Sequence, residues 1–268
     1  MKLGIGVTLA AALGAVWAGE AAWAADMAPH RAVYTMSLAS SRGSGGVVAA
    51  NGTMTYEFND ACDGWTVDNR TVLNMAYSEG AQVSTTWDFV TWEAKNGSRY
   101  RFHVRSSRDG ELSEEIDGTA HVSGEDRAGE AKYLKPEAKS FRLPAGTVFP
   151  TEHTVKLIDA AQAGERMFSR VIFDGAGVEG PLEVSAVVGP AANQDSPSPG
   201  PASSLIAVPS WRVRMAFFPL TSREATPDYE VSARYYFNGI ATEVLQQFGS
   251  FSLRGKLEKI EALPKPDC

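Results

Sequence analysis

The chain has 268 residues, 44% of them hydrophobic and 21% charged, so it holds enough apolar mass to fold, while two cysteines are too few for a disulfide-built miniprotein. A formal charge of −7 argues against a nucleic-acid partner held by phosphate neutralisation, and against attraction to an anionic membrane surface. The 25 glycines, 14 prolines and 10% aromatics fit a turn-rich β protein, one large domain or two small ones.

The N-terminus points to export. Lys2 precedes an apolar stretch over residues 3–18, and Ala22-Trp23-Ala24 offers a small-residue cleavage site. Residues 1–24 therefore read as a secretory signal peptide, with the mature chain, residues 25–268, expected as a single β domain. The apolar stretch is shorter than the roughly 20 residues of a membrane span, and no later segment is apolar enough for one. No cysteine near residue 25 offers a lipid anchor. In an oxidising compartment Cys62 and Cys268 are able to pair.

The mature chain reads as strand after strand. Period-2 alternation runs through Trp65, Val67, Asn69, Thr71 and Leu73, then Val83, Thr85, Trp87 and Phe89. Beyond the middle of the chain it returns at Trp211, Val213, Met215 and Phe217, and at Tyr229, Val231, Ala233, Tyr235 and Phe237. The dipeptides Asn51-Gly52, Asp63-Gly64, Asn96-Gly97, Asp109-Gly110, Asp117-Gly118, Asp174-Gly175 and Asn238-Gly239 are hairpin signals, because tight turns need positive φ. Roughly a dozen to fourteen antiparallel strands are expected, more than one open sheet usually carries before it curls or closes.

One helix interrupts the strands. Pro150, Thr151 and Glu152 form its start, Val155, Ile158 and Ala161 its apolar stripe, and Gly164 its C-terminal cap. Lys156, Asp159 and Gln162 would face outward, and such a helix is expected to cover or plug the open side of the sheet. Residues 190–204, with Pro190, Pro197, Pro199 and Pro201, read as a loop that cannot pair in a sheet.

The chemistry is sparse. The G-x-G-x-x-G match at Gly175, Gly177 and Gly180 is followed by strand-like alternation instead of a helix, so a hairpin is the better reading than a dinucleotide site. The stretch from Gly249 to Lys256 has the wrong glycine spacing for a Walker A loop, with Leu257 where Ser or Thr is needed, and reads as a strand. His30, His103, His121 and His153 are scattered without metal-ligand spacing, and no G-x-S-x-G is present, so no catalytic residue, metal or cofactor is expected. His153 opens the helix beside Thr151 and Glu152. There, capping is favoured over catalysis, with Thr151 accepting from backbone amides and Glu152 meeting the helix dipole. The many aromatics, Trp87, Tyr100, Phe102, Trp211 and Tyr235 among them, either pack a core between curved sheets or line an apolar cavity; the core is the better-supported of the two.

Five blocks in order resemble a known family: HRAVY at 30–34, GTMTYEF at 52–58 with CDGW at 62–65, LPAGTVFPTEH at 143–153, YYFNGI at 235–240, and the tail 248–268. They are similar to the EipB-type cell envelope integrity proteins, a domain of unknown function. The resemblance implies a periplasmic protein of about fourteen antiparallel strands spiralling around a helix, with Cys62 and Cys268 bridged. It implies a role in maintaining the envelope, with no established catalytic residues, and a fold like the half-barrels of periplasmic lipoprotein carriers, an analogy that transfers no activity.

Two functions follow as expectations. The first is a non-enzymatic envelope factor that binds an envelope protein or a cell-wall or lipid component. The second is a carrier of a lipid or other apolar ligand in a half-barrel cavity. An exported hydrolase is a distant third.

Overall fold

The computed structural model describes residues 26–42, 46–192 and 204–268. The signal peptide read at residues 1–24 and most of the 190–204 loop lie outside them. In the first half, β1 (His30–Ser41), β2 (Val47–Asp60), β3 (Gly64–Tyr77), β4 (Gln82–Ala94), β5 (Arg99–Arg108), β6 (Glu111–Ser123), β7 (Ala128–Lys135) and β8 (Lys139–Leu143) form a meander. The helix α1 (Pro150–Gln162) follows. The second half is β9 (Met167–Ile172), β10 (Leu182–Ala192), β11 (Ser210–Pro219), β12 (Tyr229–Tyr236), β13 (Ala241–Phe248) and β14 (Phe251–Ala262).

All fourteen strands belong to one antiparallel sheet. Its order is β8-β7-β6-β5-β4-β3-β2-β1-β14-β13-β12-β11-β10-β9. Every neighbour pair is consecutive in sequence except β1 with β14. The two chain-terminal strands therefore form the central seam that joins the halves, while β8 and β9, on either side of the helix, are the outer edges. A sheet of this length curls because each strand carries a right-handed twist.

The alternation places the core. In β11, Trp211, Val213, Met215 and Phe217 are buried while Arg212 and Arg214 are exposed, as a strand with one face inward demands. One apolar cluster joins those residues to β9, β10 and the helix residues Leu157, Ile158, Ala160 and Ala161. A second spans β1, β2 and β14, and a third packs β5 to β8 against Phe149 and Phe173. Tyr100 stacks on Phe149 at 5.0 Å between ring centroids, Phe102 meets Phe173 at 5.4 Å, and Phe217 stacks on Tyr229 at 4.3 Å. These aromatics build core.

The helix ends as its glycine suggests. Gly164 has φ +82° and donates its N–H to Ala161 O at 3.1 Å, and Glu165 donates to Ala160 O at 2.9 Å, which together make a Schellman cap. Its buried face is wider than the stripe read from sequence: Leu157 and Ala160 are buried and Val155 is only half-buried, because the helix lies against the inner side of β9 and β10 instead of on a flat surface.

Three sequence expectations are corrected. Asn51-Gly52 and Asp117-Gly118 are not turns; they lie inside β2 and β6. Their glycines serve close approach, since a Cβ at Gly52 would stand 2.0 Å from Val72 O and one at Gly118 2.4 Å from both Lys132 O and the Phe102 ring. Gly52→Ala is therefore expected to destabilise the fold by about 1–3 kcal/mol in chemical denaturation, because backbone must move to admit the methyl; an unchanged midpoint would contradict this packing. The loop also starts later than residue 190. Pro190 sits in β10 at a register shift between Val188 and Ala191, and Ala191 and Ala192 pair with Trp211 and Ser210. A bulge removes the need for an N–H there, which is how a strand accommodates proline.

Candidate functional site

A broad concavity runs over the exposed face of the second half. A groove of about 950 Å³ crosses β10 to β14, bordered by Val187, Ile206, Arg212, Arg214, Leu245 and Arg254 among others. It lies within the size range of small-molecule sites. It passes over the irregular pairing of β12 and β13, where the register shifts between Ser232 and Arg234. At that bulge Glu243 adopts φ +53°, a left-handed conformation that a non-glycine residue holds only under local constraint.

The constraint is electrostatic. Arg212 and Arg234 stand directly opposite each other on β11 and β12, a like-charge pair that would repel. The bulge carries the Glu243 carboxylate between them: Arg212 donates to Oε2 at 2.9 and 3.1 Å, and Arg234 donates to Oε1 at 3.0 Å. Burial alone would raise the Glu243 carboxyl, but the hydrogen bonds from Arg234 and Arg212 outweigh it and hold the group below the usual carboxylate range. Next to this triad, Arg214 is paired with Glu230 at 2.8 Å.

A second node is buried. Glu93 at the end of β4 is 2% exposed and caps α1 from a distance, accepting the Thr151 N–H at 2.7 Å and the Glu152 N–H at 2.8 Å. Pro150 opens the helix and Phe149 at the cap position offers no acceptor, so the orphan donors of the first turn go to a strand carboxylate. Thr151 thus donates its backbone N–H where the sequence reading had it accepting as a cap; it is already the second helical residue. Glu152 turns to Arg127 at 2.5 Å and to Lys156 at 3.5 Å. Sequence reading missed Glu93, although it is in phase with the inward alternation Val83, Thr85, Trp87, Phe89 and Thr91.

The histidines stay apart. His153 is buried against the Phe168 ring at 5.4 Å, and burial, with Arg170 adding to it, lowers its pKa to about 4, which makes it a neutral core residue at physiological pH. His30 donates from Nδ1 to Ala28 O at 2.7 Å, and its pKa is likewise lowered by burial. His103 pairs with Asp117 at 3.3 Å. Among the described residues no group of three His, Cys, Asp or Glu side chains is placed to hold a metal. The glycines of the G-x-G-x-x-G match lie in the connection between β9 and β10, and Gly249 to Lys256 runs into β14.

Cys62 and Cys268 are joined, with their Cα atoms 5.8 Å apart across a sequence separation of 206. The β2–β3 turn that holds Cys62 is pinned: Asp60 accepts its N–H at 2.9 Å and pairs with Lys95 at 2.7 Å. From β14 the tail passes the start of β1, with Leu263 donating to Pro29 O at 3.0 Å, and reaches that turn.

The class is defined by this geometry: an unclosed all-β spiral with a packed inner side, a bridged tail and a ligand-sized groove on its outer face. The chain belongs to the EipB-like family, whose model it matches over residues 21–264. A relative from Brucella abortus (strain 2308), named Cell envelope integrity protein EipB, is 32% identical over 267 residues, covering 94% of this chain and 93% of its own. A crystal structure from Brucella abortus, described as a beta-barrel-like protein of a domain of unknown function, DUF1849, superimposes with a TM-score of 0.79 at 30% identity, over 90% of this chain and 100% of its own.

Proposed function

We propose that this chain is a non-enzymatic periplasmic protein that contributes to cell envelope integrity by binding an envelope component. The observation that carries the reading is the 32% identity, along nearly the whole chain, to a relative named for envelope integrity. One structural feature supports binding: the groove offers a surface on which a ligand would lie, with Glu93 taken up in helix capping and Glu243 in ion pairs. The signal peptide read at residues 1–24 supports the compartment. The alternative, an apolar ligand carried inside the half-barrel, has less behind it, because the inward aromatics pack on one another and on the helix segment.

Deletion of the coding sequence is expected to sensitise cells to detergent and to cell-wall antibiotics, with resistance restored by the full chain but not by residues 25–268 alone. A deletion strain as resistant as its parent would overturn the envelope reading. Rescue without residues 1–24 would overturn the periplasmic one.

A further inference from the structure

One row of residues crosses the outer groove from strand to strand. Arg254 on β14 is in register with Leu245 on β13, Leu245 with Ser232 on β12, Ser232 with Arg214 on β11, and Arg214 with Val187 on β10. All five border the groove. At the ordinary strand spacing the row is about 19 Å long.

Its two ends differ in chemistry. At the β10 end Val187 is 58% exposed, and Met167, its partner on β9, is 75% exposed, which makes an exposed apolar step. In the middle Arg214 is neutralised by Glu230, while Arg212 and Arg234 share the one carboxylate of Glu243, which both already bind, and so keep a single net positive charge. The β14 end is open. Lys256 has Glu258 two residues away on the same strand at 3.1 Å, while Arg254 is in no ion pair among the described residues. Five cations therefore face three carboxylates around this groove, a local positive surplus on a chain of net charge −7. Positive at one end and apolar at the other, over the length of a medium acyl chain, the groove complements one kind of molecule.

We propose that the outer groove binds an anionic amphiphile, its phosphate or carboxylate head held by Arg254 with Lys256 beside it, and its chain laid over Leu245 toward Val187. The proposal rests on the reading of this chain as a binding protein and names the ligand class of that surface.

Calorimetric titration of the mature, disulfide-bonded chain with dodecyl phosphate, dodecyl maltoside and inorganic phosphate tests it. Dodecyl phosphate is expected to bind at least tenfold more tightly than the uncharged maltoside, and inorganic phosphate alone to show no saturable binding. Arg254→Glu, an exposed substitution, is expected to weaken dodecyl phosphate at least tenfold with an unchanged melting temperature; Lys256→Glu is the second variant should the first melt early. Equal affinity for the charged and uncharged amphiphiles, or no effect of either variant, overturns the proposal. So does a dimer that Arg254→Glu dissolves while no amphiphile binds, since the groove would then seat a second copy. Sedimentation with phosphatidylglycerol vesicles, against phosphatidylcholine vesicles, tells a bilayer-borne head from a dispersed one, and either source supports the assignment. A chain that binds no amphiphile yet restores detergent resistance overturns the groove assignment alone; one that binds but does not restore overturns the envelope reading alone.

Discussion

Serine in place of Cys62 or Cys268 is expected to lower stability by up to about 5 kcal/mol under oxidising conditions, a fall in melting temperature of roughly 10–20 °C. The magnitude follows from the loop that the bridge closes, with a sequence separation of 206. In the chain-entropy model such a cross-link removes conformational freedom from the unfolded chain between Cys62 and Cys268. The place of the bridge makes the loss specific. The β1–β14 pairing is the one contact between neighbours in the sheet that is not consecutive in sequence, and it joins the two halves. Its formation brings together strands more than 200 residues apart, which makes it the pairing with the largest loop-closure cost in this topology. Because the tail runs from β14 past β1 to the β2–β3 turn, the disulfide clamps three strands at that seam. Melting of the two variants and the parent, with and without reductant, checks this. Reductant should bring the parent down to the variants and leave the variants unmoved; a parent insensitive to reductant would refute the role of the bridge.

The second large effect is the pH response of Glu93. Burial pushes its carboxyl up to about 7, more than the backbone donors Thr151 and Glu152 pull it down. A carboxyl raised in this way holds a proton in the folded chain at pH values where the unfolded chain has lost it. Its contribution to stability is therefore fully present below its ordinary value of 4.5 and declines as pH rises toward about 7, then stays level. The decline is on the order of 3 kcal/mol. Glu93→Gln keeps the side-chain volume and one acceptor oxygen, and is expected to flatten stability between pH 5 and about 7. Glu93→Ala leaves two buried N–H groups of the helix start without an acceptor and is expected to cost on the order of 3 kcal/mol at pH 7 and more at pH 5, where the parent still holds the full contribution of Glu93. Denaturant unfolding across that pH range separates the two: an unaltered slope in Glu93→Gln would assign the pH dependence to another group.

Much of the architecture is legible in the sequence. The period-2 alternation from Val83 to Phe89 and from Trp211 to Phe217 identifies strands with one inward face, because a pleated strand sends successive side chains to opposite sides. Asn96-Gly97, Asp109-Gly110 and Asn238-Gly239 lie at hairpins as read, each with a left-handed glycine. Gly52 and Gly118 show where the same signal fails. A glycine is selected either by positive φ or by a neighbour's close approach, and a dipeptide does not distinguish the two. Pro190 fails for a similar reason, since a bulge admits proline within a strand.

Local sequence determined the strands and the helix α1 with its Gly164 cap, because these depend on side chains within a few positions of one another. Only the tertiary structure decided what depends on distant partners. The capping carboxylate of α1 comes from Glu93, 58 residues before Thr151. The make-up of the groove depends on register across five strands, which lines Arg254 up with Val187, and on the Glu243 carboxylate standing between two opposed arginines. Cys62 and Cys268 could be seen in the sequence only as two cysteines; it is the β1–β14 seam that carries the last residue back to the turn after β2 and makes them a pair.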